Sequence, residues 1–393
     1  MTYRVLVLDG AQRSALAVTR SLGRAGMHVI TADDHPRTLS AASRYCAASR
    51  VYPAPGENPE AFVDAVAALV AEERVDVLLP VGDLTTALVL GGCERFAGVG
   101  LPCPPREAFE TVTDKARLAV LAAERGVPVP STRAFDTGAA ALAASDSLSY
   151  PVVIKPARSQ TAVGGQWLAL PVVHAADAGE LAAQLGAVPG YADVPVLVQQ
   201  RLTGEGRGVF ALYDRGRAVT FFAHRRLRER PPSGGVSVLS ESVPAAPELV
   251  DAADRILSAV GWHGVAMAEF KLDAAGRAHL LEINGRFWGS LQLAVDAGVD
   301  FPLMACRLAL GQDPAPPAGY RTGCRSRWLL GDLDSLYLRW RDGRRWARRG
   351  ELAGAAARFL RLFERGTRYD VNRLEDLGPF LHECRYYLRG GAK

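Results

Sequence analysis

Two glutamates and an asparagine carry the strongest chemical signal in this chain. They lie in Glu269-Phe-Lys-Leu-Asp, a short connector, and His279-Leu-Leu-Glu282-Ile-Asn284-Gly-Arg286-Phe-Trp-Gly. Both arms are apolar at every second position and the connector Ala274 to Arg277 contains a glycine, which together predict a β-hairpin. Taking Asp273 and Ala278 as the closing pair and counting outward sets Glu269 opposite Glu282. Directly opposed carboxylates repel each other. A dication between them relieves the repulsion, and the all-oxygen set Glu269, Glu282 and Asn284 suits hard Mg²⁺ rather than zinc. Magnesium bound in this way usually also holds phosphates.

The cations that could face such a centre stand out by their rarity. Of the 46 basic residues only four are lysine, at 115, 155, 271 and 393. Arginine serves wherever a positive charge suffices, so a lysine kept inside the fold points to a need for a compact ammonium on a flexible stem. Lys155 ends the strand Tyr150-Pro-Val-Val-Ile-Lys155-Pro and precedes a small-residue loop through Ser159 to Gly164-Gly165. An ammonium beside a flexible run of backbone N–H groups is a phosphate clamp. Lys115 opens a helix, Asp114 to Arg125, with Thr113 or Asp114 as its N-cap. Downstream, His224-Arg-Arg226-Leu-Arg228 alternates as a strand that places His224, Arg226 and Arg228 on one face, and Pro-Pro-Ser233-Gly-Gly must be a loop. Clustered arginines beside a glycine loop suit a carboxylate or a phosphate.

The elements that must position these groups follow from periodicity. Residues 3 to 9, 12 to 25 and 27 to 32 read as β-α-β, and 58 to 73 and 75 to 81 add a helix and a strand, so the first hundred residues form a small parallel α/β domain. Its first turn, Asp9-Gly-Ala-Gln-Arg-Ser, lacks the Gly-x-Gly-x-x-Gly of a dinucleotide site. There is no Gly-x-x-x-x-Gly-Lys-Ser/Thr loop, no His-Glu-x-x-His and no Gly-x-Ser-x-Gly. Strands at 166 to 170 and Val196 to Leu202 precede a mostly antiparallel sheet over 205 to 290 with one helix near 247 to 260. The tail after Pro317 reads as helical and Arg-rich. Its Arg339, Arg341, Arg344, Arg345, Arg348 and Arg349, interleaved with Trp340 and Trp346, read as a solvated face with the aromatics docked on the body. No nucleic-acid partner is expected.

Composition excludes more than it assigns. A formal charge of +4 over 393 residues argues little about partners. No apolar stretch approaches the roughly 18 residues of a membrane span. The six cysteines are widely spaced without Cys-x-x-Cys, which indicates neither a disulfide framework nor a zinc site. A reducing, cytoplasmic setting is the expectation.

The order Lys115, Lys155, Gly164-Gly165, Gln199-Gln200, Glu269, Glu282, Asn284 resembles that of the ATP-grasp superfamily of carboxylate ligases, over about residues 1 to 310. The resemblance implies an α/β and α+β architecture with an N-terminal parallel α/β domain (1–105), a two-lobed ATP-grasp domain with antiparallel sheets (106–195 and 196–315) and a helical C-terminal region (316–393). It implies that Lys115 and Lys155 hold the nucleotide phosphates, that Ser159 to Gly165 closes over them, and that Gln199, Gln200 and Leu202 receive adenine. Two Mg²⁺, with Mn²⁺ as an alternative, would sit on Glu269, Glu282 and Asn284. Arg286 would aim at the phosphoryl or acyl oxygen, making Arg286 and Lys155 the catalytic pair, and Arg226, Arg228, Ser233 and Arg286 would contact substrate. Two departures are visible: Gln200 stands where an acidic residue is common, and Glu205 is the one candidate for the ribose. The implied reaction uses ATP to activate a small carboxylic acid as an acyl phosphate and joins it to an amine. Alternatives are turnover through carboxyphosphate, as in the biotin carboxylase and carbamoyl-phosphate branches, and a non-catalytic nucleotide-binding protein. A homodimer is allowed.

Overall fold

The computed structural model describes residues 2–158, 161–163, 166–168, 170–232, 234–346, 354, 356–357, 359–360 and 366–389. Four strands, β1 (Arg4–Val7), β2 (His28–Asp33), β3 (Ala48–Val51) and β4 (Val77–Leu79), make a parallel sheet in the order β3-β2-β1-β4. Helices cover both faces of such sheets, so its central strands read as unbroken apolar runs, and Val5 to Leu8 and Val77 to Leu79 are buried throughout. Helices Arg13–Arg24, Pro59–Glu72 and Asp83–Gly91 supply the cover. The third of these and β3 are elements that periodicity did not separate.

Asp9, two residues past the end of β1, has φ of 59°. From there its carboxylate accepts from the Val81 and Gly82 N–H groups at 3.0 and 2.7 Å and from the Thr85 hydroxyl at 2.7 Å. That one side chain stitches the β1 turn to the start of the helix Asp83–Gly91, and so fixes where Asp83 points. Burial draws the Asp9 carboxyl above its ordinary range, against the pull of these hydrogen bonds.

A second sheet, β5-β10-β6-β9, is antiparallel and is built from β5 (Thr132–Phe135), β6 (Val152–Pro156), β9 (Val173–Ala175) and β10 (Val196–Gln200); β7 (Thr161–Val163) and β8 (Gln166–Leu168) form a separate two-stranded antiparallel sheet. Strand β10 therefore pairs with the preceding segment, and a division at 195/196 cuts through a sheet. The third sheet has seven strands in the order β15-β14-β11-β12-β13-β16-β17: β11 (Gly206–Asp214), β12 (Arg217–Arg230), β13 (Val236–Ser242), β14 (Gly264–Leu272), β15 (Ala278–Asn284), β16 (Arg325–Arg327) and β17 (Thr367–Tyr369). The last two strands show that the C-terminal region is not wholly helical. They were hidden because each is three residues long and Arg-rich, too short for a period.

The C-terminal residues fasten onto the N-terminal domain through buried charge. Arg20, fully buried, donates to Asp376 Oδ2 at 2.7 Å, to the Asp370 and Val371 carbonyls at 2.7 and 2.8 Å and to the Asp376 carbonyl at 3.0 Å. Arg13 pairs with Asp370 and lies 4.2 Å from the centroid of Trp328, whose indole N–H donates to Glu383 at 2.7 Å. Farther out the expectation of docked aromatics fails at Trp340, which on the helix Leu329–Trp346 is 65% exposed, with its ring centroid 6.0 Å from that of Tyr337. Arg348 and Arg349 lie outside the described residues.

Arg20→Ala leaves Asp376 without its ion pair, though still bonded to the Ser43 hydroxyl and the Arg44 N–H, and takes a donor from three buried carbonyls, and urea unfolding is expected to show a loss of about 3–5 kcal/mol. A second expectation concerns pH. Burial pushes the Glu383 carboxyl up to about 7, against the Trp328 hydrogen bond. Its folded pKa then exceeds the unfolded one, so the protonated form contributes stability that is complete below about pH 4 and is lost as pH rises through about 7. Glu383→Gln keeps the acceptor for Trp328 and removes the proton, so unfolding free energies measured between pH 4 and 8 should lose that downward slope, of the order of 2–3 kcal/mol.

Candidate active site

The predicted hairpin forms, with Glu269 directly opposite Glu282 and Met267 opposite Asn284. The register near the turn differs from the expectation by one residue. Leu272 pairs with Ala278, Asp273 belongs to the connector, and a β-bulge between Glu269 and Phe270 on one strand, opposite Leu281 on the other, restores the alignment at Glu282. Asp273 shapes the turn by accepting from the Ala275 and Arg277 N–H groups at 2.9 Å each. The connector thus consumes a residue that simple counting assigned to the ladder.

The three oxygen-bearing side chains converge. Asn284 Nδ2 lies 3.5 Å from Glu269 Oε1 and 3.4 Å from Glu282 Oε1. Two carboxylates and a carboxamide so placed fit a hard divalent ion such as Mg²⁺. Cationic side chains also answer the repulsion between them: Arg226 Nη2 lies 2.6 Å from Glu269 Oε1, and Lys115 Nζ lies 3.7 Å from Glu282 Oε2. Burial pulls the Glu282 carboxyl up, but Lys115 and Lys155, aided by Asn284 and Arg226, overcome it and hold it below the ordinary range.

Lys155, at the end of β6, is buried and donates to Gln199 Oε1 at 2.9 Å; Gln199 in turn donates to Thr132 Oγ1 at 3.0 Å. Burial, with a further push from Lys115, draws the Lys155 ammonium below its ordinary value against the attraction of Glu282 and Glu269. Asp114 caps the next helix, Lys115–Glu124, through the Ala116 and Arg117 N–H groups, and the Lys115 N–H donates to the Ala157 carbonyl at 2.9 Å. That bond ties the two lysine-bearing segments together. Both lysines and Gln199 line one cavity with Leu118, Val129 and Leu197.

Arg286 donates to Asp83 Oδ2 at 3.0 Å, to Asn284 Oδ1 at 3.3 Å and to the Phe287 carbonyl at 2.9 Å. Asp83, the first residue of the helix Asp83–Gly91, is the N-terminal domain's contribution to the site. The structure brings Lys115, Lys155, Gln199, Arg226, Glu269, Glu282, Asn284 and Arg286 together. It does not bring Arg228, which makes two hydrogen bonds to Asp332 at 2.8 and 2.6 Å. Irregularities on either side of Arg228 break the alternation that was to align it with Arg226. His224 is buried against Phe210, and burial drives its imidazole well below the ordinary value. Gln199 is turned to Lys155, which leaves exposed Gln200 and half-buried Leu202 as the candidates for an adenine edge. Glu205 accepts from Arg207 at 3.0 Å. Ser159, Gly164, Gly165 and Ser233 lie outside the described residues.

Residues 192–331 match the family described as ATP-grasp in the biosynthetic pathway with Ter operon. This chain carries an ATP-grasp domain. Over 276 residues, 65% of the chain, it is 30% identical to the phosphoribosylamine–glycine ligase of Caulobacter vibrioides, and it spans 63% of that relative's length. By fold it is similar to the L-amino acid ligase from Bacillus licheniformis (TM-score 0.62, 19% identity, 80% of this chain and 75% of that one). It is also similar to the biotin carboxylase domain of the 2-oxoglutarate carboxylase of Hydrogenobacter thermophilus, solved with MgADP and bicarbonate (TM-score 0.64, 15% identity, 83% and 74% covered). An ATP-grasp domain implies ATP with Mg²⁺, which agrees with the donor set on the hairpin.

In this ATP-grasp domain Gln199 orients Lys155, so its loss should be felt at the phosphates. Gln199→Leu is expected to weaken ATP and inorganic tripolyphosphate by the same factor, about tenfold for one charge-assisted hydrogen bond, and to leave adenosine unaffected. Competition binding of the three ligands checks this.

Proposed function

We propose that this protein is an ATP- and Mg²⁺-dependent ligase that activates a small-molecule carboxylate as an acyl phosphate and joins it to an amine, releasing ADP and phosphate. One observation carries the reading: a single hairpin presents Glu269, Glu282 and Asn284 with Lys115 and Lys155 on one side and Arg286 on the other. The 30% identity to a ligase that joins glycine to an amine supports it.

The chemistry asks for neutralised charge at three places. Lys115 and Lys155 would hold the nucleotide phosphates in a site that excludes water, where fixed cations act at low dielectric. Glu269, Glu282 and Asn284 would hold Mg²⁺, two ions in our reading and replaceable by Mn²⁺, and bound metal supplies neutralisation of the charge on the transferring phosphoryl group. A carboxylate oxygen of the acid attacks the γ-phosphorus, the bond to ADP breaks, and the amine then attacks the acyl carbon, displacing phosphate as the nitrogen loses a proton. Arg286 is placed to bind the carboxylate and then the acyl phosphate, its guanidinium aimed by Asp83 and Asn284. Arg226, held on Glu269, is a second cation within reach of an anionic substrate.

Assignment to the cytoplasm belongs to the same proposal, supported by six unpaired cysteines and by the lack of a helix among the described residues long and apolar enough to cross a membrane. So does a homodimeric state, which sedimentation would test.

Phosphate release from ATP is expected only with both a carboxylic acid and an amine present, and Glu282→Gln should reduce it by about a hundredfold or more. Undiminished turnover in Glu282→Gln would sink the metal assignment. Turnover driven by bicarbonate alone would replace amide formation with carboxyphosphate chemistry.

A further inference from the structure

We infer that the acid activated here is an α-amino acid with an apolar side chain, and that this side chain occupies a cavity between the N-terminal domain and the nucleotide site. The inference rests on the ligase reading above and gives its substrate a chemical class.

The cavity measures about 410 Å³, within the roughly 300–1,000 Å³ usual for small-molecule sites. Val63, Leu84, Ala87, Leu88, Phe109 and Trp167 give it an apolar lining, beside the charged residues Glu60, Asp83, Glu94, Arg95, Arg106, Glu110 and Arg158. Three parts of the molecule contribute: the helices that pack on the parallel sheet, the helix Arg106–Thr113 that leads to Lys115, and the strand β8. The Trp167 N–H donates to the Gly56 carbonyl at 3.3 Å, which seats β8 against the N-terminal domain at this place. Its three arginines are each held by a carboxylate, Arg106 by Glu110 at 2.8 Å, Arg158 by Asp114 at 3.2 Å and Arg95 by Asp64. An apolar wall of this size is suited to a hydrocarbon or aromatic side chain.

Asp83 lines the same cavity and is the residue that holds Arg286. Arg286 engages Asp83 through Oδ2 at 3.0 Å, and a carboxylate with about four acceptor positions keeps capacity for an ammonium donor. The guanidinium has five N–H donors and uses three contacts, with Asp83, Asn284 and the Phe287 carbonyl, so it keeps capacity for a carboxylate. One ion pair thereby offers both signs side by side at the edge of an apolar cavity. The zwitterionic head of an amino acid matches it, with the ammonium on Asp83 and the carboxylate on Arg286, beside the hairpin where activation takes place.

Calorimetric titration of the full chain with leucine, phenylalanine, glycine and aspartate tests the cavity without turnover, and phosphate release with the same acids and a common amine tests it with turnover. Leucine and phenylalanine are expected to bind about tenfold or more tighter than glycine and aspartate. Ala87→Trp, which fills the cavity, should abolish that advantage, and Leu88→Ala, which enlarges it, should shift preference from leucine toward phenylalanine; circular dichroism confirms that each variant is folded. Equal binding of all four acids, or a leucine preference that survives Ala87→Trp in folded protein, overturns the inference. Ligation whose acid preference ignores both variants leaves the ligase and removes the cavity. Cavity-dependent binding with no ligation of any acid leaves the cavity and removes the ligase.

Discussion

The opposition of Glu269 and Glu282 across one hairpin is the constraint around which the rest is arranged. Two carboxylates facing each other on a sheet are unfavourable, and burial makes them more so. The fold answers with cations drawn from three separate segments: Lys115 from a helix start, Lys155 from the end of β6 and Arg226 from β12. Each of these charges would be costly to bury by itself, and each is tolerable because the acidic pair is there. The site is therefore a set of mutually dependent charges. The cations that balance the hairpin's carboxylates are also those suited to phosphate.

Their placement depends on backbone details more than on side-chain choice. The bulge in the hairpin brings Glu282 back into register after a turn that uses Asp273 for its own hydrogen bonds. The Lys115 N–H, bonded to the Ala157 carbonyl, joins the two lysine segments regardless of what their side chains do. In the N-terminal domain a positive φ at Asp9 lets one carboxylate gather Val81, Gly82 and Thr85, and the helix that begins next carries Asp83 to Arg286. A chain of contacts thus runs from the first β-turn to Arg286.

Much of this was legible in the residues. The alternation around Glu269 and Glu282 gave the hairpin, and the scarcity of lysine picked out 115 and 155, both of which are buried at the site. Asp114 is the N-cap that its position suggested. What escaped reading depended on geometry that a period does not encode. Arg228 belonged to Arg226's face only while β12 stayed regular, and irregularities on either side of it hand it to Asp332. The family resemblance gave Gln199 to adenine, yet it sits opposite Val153 and its carboxamide oxygen accepts from the buried Lys155 ammonium. Strands β16 and β17 are three residues each, below the length at which alternation can be recognised.

The C-terminal region gives the architecture its last argument. Arg13 and Arg20 stand on the first helix, the one that follows the Asp9 turn, and both are held by residues from the far end of the chain: Asp370, Val371 and Asp376. Asp296, on the helix that follows the β14–β15 hairpin, is held in the same way by Arg373. The segment from 366 to 389 therefore bonds to the N-terminal domain on one side and to the end of the hairpin segment on the other. A buried ion pair adds little net stability compared with an apolar pair, but it is intolerant of misalignment, because either partner left by itself in the interior is expensive. Three such pairs bridging the two halves act as alignment pins. They hold the domain that bears Asp83 against the hairpin that bears Arg286, and the 3.0 Å contact between those two residues is where that alignment reaches the chemistry.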